Sequence, residues 1–357
     1  MSERKAYLVL SDGTVYEGVR IGALTDAVGE LVFTTGMVGY VETLTDPSYA
    51  GQIIMQTFPL IGNYGVCEED FEGQPCAKGY VVRELCETPS NFRSEYSLDA
   101  FLKKNGIPGI AGIDTRSITR RIREYGVMNA RICSAPDEAG IKDYQVRGVV
   151  PEVSCTQKMF FAAQGTKKHH VVLLDYGAKK NIIRSLNQRG CDVTVVPHDT
   201  SAKEVMGLNP DGIMLSNGPG DPAENTAEIA VIRELLGQVP VFGICLGHQL
   251  TALAKGGQTV KLKYGHRGAN QPVRDLETGR TYITTQNHGY AVVSESMAGK
   301  GRLRFVNAND NSCEGMDYPD DLCFTVQFHP EACAGPRDTA FLFDRFIRMM
   351  EVAHAEG

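Results

Sequence analysis

One segment of the chain combines a cysteine with the two glycines of a tight strand-to-helix turn. It reads Val241-Phe242-Gly243-Ile244-Cys245-Leu246-Gly247-His248-Gln249, a G-x-C-x-G pattern that ends a buried apolar run. In the nucleophile elbow, a turn of this kind presents the nucleophile at the start of a helix. There the helix dipole would favour a Cys245 thiolate by about 0.3–2 kcal/mol. The pattern predicts a nucleophile, although a small buried structural cysteine also fits the elbow taken alone.

A histidine and a carboxylate follow later in the chain. They lie in the segment Phe324-Thr325-Val326-Gln327-Phe328-His329-Pro330-Glu331. An unperturbed thiol has a pKa of about 8.5, so a nucleophilic cysteine needs a base at neutral pH. In a triad, His329 would take the proton from Cys245, and Glu331 would orient the imidazole. An H-P-E tripeptide is more often a plain loop, but its place after a strand and downstream of the elbow favours the triad.

A glycine-rich loop follows another predicted strand. It reads Leu215-Ser216-Asn217-Gly218-Pro219-Gly220-Asp221-Pro222. The Lys-Ser/Thr ending of a phosphate-binding P-loop is missing, while a plain Gly-Pro turn stays open as an alternative. If the loop faces the elbow, the N–H groups of Gly218 and Leu246 would form an oxyanion hole. Of the other histidines, we expect His248 to be structural and His288 to lie in a loop that lines a pocket.

The elements that must position these residues change character near residues 150–168. Before this stretch, strand-like segments alternate with glycine-rich loops, and one helix begins at Asp114 or Thr115. After it, continuous apolar strands alternate with helices, which is typical of a parallel sheet covered on both faces. The sequence therefore predicts an α/β protein: a smaller β-rich α+β domain over 1–150, a linker over 151–168, and a domain with a mostly parallel sheet flanked by helices over 169–357.

Charge and cysteine content exclude several classes of function. The chain has 36 Lys+Arg against 43 Asp+Glu, a net charge of −7, which argues against a general nucleic-acid or anionic-membrane binder. Its ten cysteines include no pair at C-x₂₋₄-C spacing, so no metal site is predicted. The first residues lack the apolar core of a secretory signal, and no apolar run is long enough to span a membrane. We expect a cytoplasmic protein.

The three segments, in this order, resemble the class I (triad-type) glutamine amidotransferases over about residues 169–350. That family hydrolyses the side-chain amide of glutamine through a γ-glutamyl thioester and hands the ammonia to a synthase. The N-terminal half resembles the small subunit of carbamoyl-phosphate synthetase. The segments that carry this second resemblance are GELVFTTGMVGY at 29–40, TDPSY at 45–49, PLIGNYG at 59–65 and GIDTR at 112–116.

The resemblance implies a set of site residues. Cys245, His329 and Glu331 fall on the family's nucleophile, base and orienting acid, in agreement with the spacing argument. Contacts to L-glutamine are implied at Ser48, Gly218, Gly220, Leu246, Gln249, Asn287, Gly289 and Tyr290. Tyr290 is a small departure, because relatives commonly have Phe there; its main chain could serve equally.

The resemblance also implies a partner. Making carbamoyl phosphate from bicarbonate takes two ATP-dependent phosphorylations, and no nucleotide-binding segment is visible in this sequence. We therefore expect no cofactor in this chain, with ATP and Mg²⁺ on a large synthetase subunit. The two subunits would form a heterodimer or an oligomer of heterodimers, joined by an internal ammonia channel. The product would serve arginine biosynthesis, pyrimidine biosynthesis or both.

Three other functions stay open at this point. The chain could be the amidotransferase subunit of another synthase, of the anthranilate or aminodeoxychorismate type, although those are usually single domains. It could be a stand-alone cysteine hydrolase or peptidase, which would need no partner. It could also be a non-catalytic binding module in which Cys245 is incidental. Glutaminase activity with and without a co-purifying large protein separates these alternatives.

Overall fold

The computed structural model describes residues 5–356, which form two compact units that divide between Val149 and Val150. The first unit is β-rich, and the second is a sheet flanked by helices. The predicted fold class is confirmed. No helix in the described part of the chain has the length and apolar character needed to cross a membrane.

The N-terminal unit is built on a closed barrel. Its strands are β1 (Lys5–Leu10), β2 (Val15–Gly22), β3 (Ala27–Thr34), β4 (Gln52–Gln56), β5 (Leu60–Ile61), β6 (Gly79–Val81), β7 (Glu84–Leu85), β8 (Pro108–Ala111) and β9 (Met128–Cys133). Its helices are α1 (Tyr40–Leu44), α2 (Leu98–Lys104) and α3 (Thr115–Tyr125). Over the described residues, the barrel closes in the order β1-β2-β8-β6-β4-β3-β9, and β5 and β7 pair separately.

Local sequence signals account for two parts of this unit. Asp12 and Gly13 make the turn between β1 and β2, where Gly13 takes a φ of 85° that an L side chain disfavours. Helix α3 is capped by Asp114, whose carboxylate accepts a hydrogen bond from the N–H of Ser117. Four arginines lie on this helix; Arg116, Arg120 and Arg123 are exposed, and Arg121 is partly exposed.

The C-terminal unit is a helix-flanked sheet. Its strands are β10 (Met159–Phe161), β11 (His169–Asp175), β12 (Cys191–Pro197), β13 (Gly212–Leu215), β14 (Val241–Ile244), β15 (Thr259–Asp275), β16 (Thr281–Val292), β17 (Arg302–Asn307), β18 (Cys313–Tyr318) and β19 (Cys323–Val326). Its helices are α4 (Val150–Val153), α5 (Lys180–Asn187), α6 (Ala202–Met206), α7 (Thr226–Leu235), α8 (Leu246–Ala254) and α9 (Phe341–Glu356). Over the described residues the strand order is β10-β12-β11-β13-β14-β19-β18-β17-β15-β16.

The parallel strands carry the site. Strands β12, β11, β13, β14 and β19 run parallel, and the sheet continues through antiparallel strands on both sides. Along β11, Val172 and Leu174 enter one hydrophobic core, while Val171 and Leu173 enter the core on the other face. Burial on both faces explains why these strands read as continuous apolar runs. Their carboxyl ends share one edge of the sheet, where ligand sites of this architecture form.

The stretch 151–168 corrects one prediction. The sequence predicts a linker here, but the stretch holds most of α4 and all of β10. Strand β10 pairs antiparallel with β12 and belongs to the C-terminal unit. Strand β10 has only three residues, and all three are exposed. No alternation of buried and exposed positions can be read from so short an edge strand, which is why the sequence did not indicate it.

The packing around Phe242 gives a prediction about stability. Phe242 is fully buried on β14, and its ring stacks on that of Phe324 at 4.3 Å. We expect Phe242→Ala to lower the free energy of unfolding by about 3–5 kcal/mol, measured by urea denaturation with circular dichroism. The control is Phe92→Ala, a ring 97% exposed, which should stay within about 0.5 kcal/mol of the parent. Equal losses in the two variants would contradict the packing described here.

Candidate active site

Cys245 lies in a strained turn between β14 and α8. Its φ of 54° and ψ of −102° are values that residues other than glycine rarely adopt, and it is the N-terminal cap of α8. Its N–H donates to the carbonyl of Val326 on β19 at 2.8 Å, which holds the strained residue against the sheet. Its side chain is buried, and its exposed fraction is 2%. This is the geometry of a nucleophile elbow.

The two glycines of the elbow are required by close packing. A Cβ on Gly247 would stand 2.5 Å from the carbonyl oxygen of Leu215, and one on Gly243 would stand 3.0 Å from the backbone of Gly247. Backbone atoms at these distances cannot yield to a side chain. The close passage of α8 over the ends of β13 and β14 therefore explains the G-x-C-x-G pattern.

His329 and Glu331 meet as the sequence predicts, just after β19. Nδ1 of His329 lies 2.8 Å from Oε1 of Glu331, and both side chains are fully buried. Nδ1 donates to the carboxylate, so Nε2 is the nitrogen left for proton transfer. Within residues 5–356, Nε2 has no hydrogen-bond partner. Burial and the charge of Lys179 disfavour the imidazolium, but Glu331 and the Cys245 sulfur together hold the pKa of His329 above its ordinary value.

Lys179 is a site residue that sequence reasoning missed. It precedes α5, and its buried Nζ lies 2.9 Å from Oε1 of Glu331. Burial alone would raise the pKa of Glu331, but Lys179 and His329 hold it well below the ordinary value. Its position in the sequence could have indicated this role. Lys179 follows β11, whose carboxyl end lies at the same sheet edge as those of β14 and β19.

The Gly218 loop lies directly against the elbow. A Cβ on Gly218 would stand 2.2 Å from the carbonyl oxygen of Tyr176 and 2.7 Å from a side-chain carbon of Leu246. Among the described residues, the Gly218 N–H makes no backbone hydrogen bond. The Leu246 N–H is in the first turn of α8, where a helix offers no acceptor of its own. Two N–H groups are thus present for an oxyanion; Gly220, with φ 88°, follows in the same loop.

Strand β16 carries three of the predicted glutamine contacts and brings Asn287 next to Cys245. The Cys245 thiol donates to the carbonyl of Asn287 at 3.8 Å. Nε2 of Gln249 donates to the carbonyl of Tyr290 at 2.8 Å and to Oε1 of Gln327 at 2.9 Å, which ties α8 to β16 and to the segment after β19. Gly289 lies between Asn287 and Tyr290 on the same strand.

Ser48, the remaining predicted contact, belongs to the N-terminal unit. It is buried within a short 3₁₀ helix, Pro47–Tyr49, and its N–H donates to the carboxylate of Asp46 at 2.9 Å. Its role towards glutamine stays a prediction.

Two other histidines near the elbow are fully enclosed. The ring of His248 hydrogen-bonds to Thr325 at 2.8 Å, and burial lowers its pKa to about 3, so it is a neutral structural residue. The expectation that His288 lies in a pocket-lining loop is wrong. His288 is a buried residue of β16, because the strand runs without interruption over Thr281–Val292. Its Nδ1 donates to the carbonyl of Tyr290 at 2.7 Å.

Comparisons with known proteins agree with this geometry. Residues 172–349 match the family model of class I glutamine amidotransferases, and residues 8–132 match that of the carbamoyl-phosphate synthase small chain, CPSase domain. The carbamoyl phosphate synthase small chain of Bacillus cereus is 49% identical over 360 residues, which cover 99% of this chain and 98% of that protein. The protein of the same name from Listeria innocua is 50% identical, with 98% and 97% covered.

The fold and the elbow with its His–Glu pair thus define the C-terminal unit as a class I glutamine amidotransferase domain. The whole chain belongs to the carbamoyl-phosphate synthase small-chain family. Membership of a small-chain family implies a large-chain partner.

The buried Lys179 gives a prediction about pH. Lys179→Met removes the cation that lowers the pKa of Glu331, so this carboxylate should protonate at higher pH. We expect the acid limb of the pH profile for glutamine hydrolysis to move to higher pH, measured as kcat/KM against pH. The matched control is Lys180→Met, at the exposed next residue, which should keep the parent profile. Identical profiles for both variants would exclude this role of Lys179.

Proposed function

We propose that this chain is the glutaminase subunit of a carbamoyl-phosphate synthetase and that Cys245 carries the γ-glutamyl thioester. The observation that carries the proposal is the strained Cys245 elbow at the sheet edge that holds the buried His329–Glu331 pair, whose atoms lie 2.8 Å apart. The released ammonia would pass to a large subunit, which makes carbamoyl phosphate from bicarbonate and two ATP.

The reaction begins with attack of the Cys245 sulfur on the side-chain carbonyl carbon of L-glutamine. His329, whose pKa is held above its ordinary value, receives the thiol proton on Nε2, while Glu331 accepts the hydrogen bond from Nδ1. The N–H groups of Gly218 and Leu246 would stabilise the oxyanion, and an oxyanion-hole donor is typically worth about 10²–10³-fold in kcat.

Collapse of this intermediate breaks the carbon–nitrogen bond, and His329 returns its proton to the departing nitrogen, which leaves as ammonia. Water, deprotonated by His329, then attacks the thioester carbon. The second collapse breaks the carbon–sulfur bond, releases glutamate and restores the thiol of Cys245.

Contacts to the rest of glutamine would come from the residues implied by the family resemblance. In the C-terminal unit these are Gly218, Gly220, Leu246, Gln249, Asn287, Gly289 and Tyr290, and in the N-terminal unit Ser48. Support comes from the contacts that join the Cys245 sulfur to Asn287 and the Gln249 side chain to Tyr290.

The remaining chemistry is assigned to the partner. We propose that ATP and Mg²⁺ act on the large subunit and that this chain uses no cofactor, since its sequence contains no G-x-x-x-x-G-K-[ST] segment. The N-terminal barrel, which matches the small-chain family over residues 8–132, would serve docking in a cytoplasmic heterodimer or an oligomer of heterodimers. An enclosed path for ammonia keeps it unprotonated, and therefore nucleophilic. The carbamoyl phosphate would enter arginine or pyrimidine biosynthesis.

Loss of the thiol tests the nucleophile. We expect Cys245→Ser to abolish glutamine hydrolysis, because the serine hydroxyl is a much weaker nucleophile in this site. With the large subunit present, synthesis from added ammonia should continue, which shows that the variant is folded. The control, Cys86→Ser in the N-terminal unit, should hydrolyse glutamine at the parent rate. Near-parental hydrolysis by Cys245→Ser would refute the assignment.

Coupling to the partner is tested with the unmodified chain. Hydrolysis without synthesis wastes glutamine, so we expect slow hydrolysis by the isolated chain. Adding the large subunit with bicarbonate and ATP should raise kcat by at least about tenfold, the scale of completing part of an oxyanion hole. Steady-state glutaminase assays on the two samples measure this. Equal rates would favour a stand-alone cysteine hydrolase.

A further inference from the structure

A second group of residues, with side chains that can bind a metal ion, lies at the opposite edge of the sheet from Cys245. His169 is the first residue of β11, Asp211 directly precedes β13, and His354 lies near the end of α9. One ligand-capable atom of each residue lies within 4.8 Å of those of the other two. No sequence pattern indicated this cluster, because its members are far apart in the chain.

The carboxylate of Asp211 is fixed in place by the sheet. Its Oδ2 accepts the N–H of His170 at 2.6 Å, while its own N–H donates to the carbonyl of His170 at 2.8 Å. Its Oδ1 faces the end of α9 and accepts Nε2 of His354 at 2.8 Å. The carboxylate is thus held between the two imidazoles before any ligand arrives.

His169 supplies the observation that indicates a missing ligand. Its side chain is only 7% exposed, and its Nδ1 lies 4.0 Å from Oδ2 of Asp211, too far for a hydrogen bond. Within residues 5–356, this buried nitrogen has no hydrogen-bond partner. Buried polar atoms are rarely left without a hydrogen-bond partner, because the unmade bond costs free energy.

We propose that Nδ1 of His169, the carboxylate of Asp211 and Nε2 of His354 bind one late-transition divalent cation, represented by Zn²⁺. Two imidazoles and one carboxylate suit zinc, nickel or copper rather than magnesium or calcium. Bonds of about 2.0–2.2 Å place tetrahedral ligand atoms about 3.3–3.6 Å apart. The two oxygens of Asp211 lie on either side of that range, with Oδ1 2.8 Å from His354 and Oδ2 4.0 Å from His169. Water would fill the fourth position.

The surroundings allow the ion to enter. His354 is 58% exposed, so its ring can move to close the site, and the proton on its Nε2 can pass to Nδ1 through solvent as the metal binds. Asp211 carries a negative charge into the site, and Glu351 on α9 adds a second one that acts on His169. The bound ion would join the last turns of α9 to the starts of β11 and β13.

The test uses the tag-free full chain with Cys245→Ser, which removes the catalytic thiol as a competing zinc ligand. Zn²⁺ and Co²⁺ are titrated by calorimetry and native mass spectrometry, with thermal unfolding measured in parallel. We expect one ion per chain and a higher unfolding temperature, with affinity lowered at least about tenfold by His354→Ala or Asp211→Asn. Bound Co²⁺ should give no thiolate charge-transfer band.

The control is His266→Gln, because His266, His288 and Glu314 form another group that could hold a metal. This variant should bind like the parent. Binding that survives both His354→Ala and Asp211→Asn, that is lost only in His266→Gln, or that is absent at millimolar Zn²⁺ would overturn the proposal. Since His354 is exposed near the end of a helix, its alanine variant should fold even if Asp211→Asn does not.

Discussion

The close passage of α8 over the end of β13 is the constraint on which the rest of the C-terminal unit depends. The Gly247 N–H donates to the carbonyl of Ser216 at 3.0 Å, and no side chain fits at Gly247. This contact forces the chain to turn within one residue, and Cys245 takes the unfavourable backbone conformation. Such a conformation costs about 1–3 kcal/mol and persists only where the surroundings over-determine it. Here the hydrogen bond from Cys245 to β19 and the Gly218 loop supply those surroundings.

Electrostatics complete the site around this turn. The buried charges alternate in space: the Lys179 ammonium contacts the Glu331 carboxylate, which contacts the His329 ring. A buried charge that loses its partner typically destabilises a protein by about 3–5 kcal/mol, so each member of the series constrains the next. The orientation of His329 is thereby fixed from two directions, by the carboxylate beside it and by the lysine behind that carboxylate. The imidazole of His329 is therefore held in one orientation before any substrate binds, with Nδ1 on Glu331 and Nε2 left for proton transfer.

The sequence predicted the geometry of the site where a few neighbouring residues determine it. The elbow around Cys245 and the pair of His329 and Glu331 each depend on only a few consecutive residues. The parallel strands can be recognised in the sequence as continuous apolar runs. Sequence reasoning missed residues whose partners are distant in the chain, and elements too short to show a pattern. Lys179 reads as an ordinary lysine, because its partner is 152 positions away, and β10 is an edge strand without alternation. The cluster of His169, Asp211 and His354 exists only because α9 packs against the start of the sheet.

The parallel pairing of β14 with β19 bears on how the protein is made. Strand β14 ends at Ile244, but its neighbour β19 and the carbonyl that holds Cys245 come from residues 323–326, near the end of the chain. A nascent chain that has released α8 from the ribosome still lacks this strand, and also lacks His329, Glu331 and α9. The Cys245 N–H then lacks its acceptor on Val326, and the thiol lacks its base. The catalytic group is therefore complete only after residues 323–331 have been synthesised.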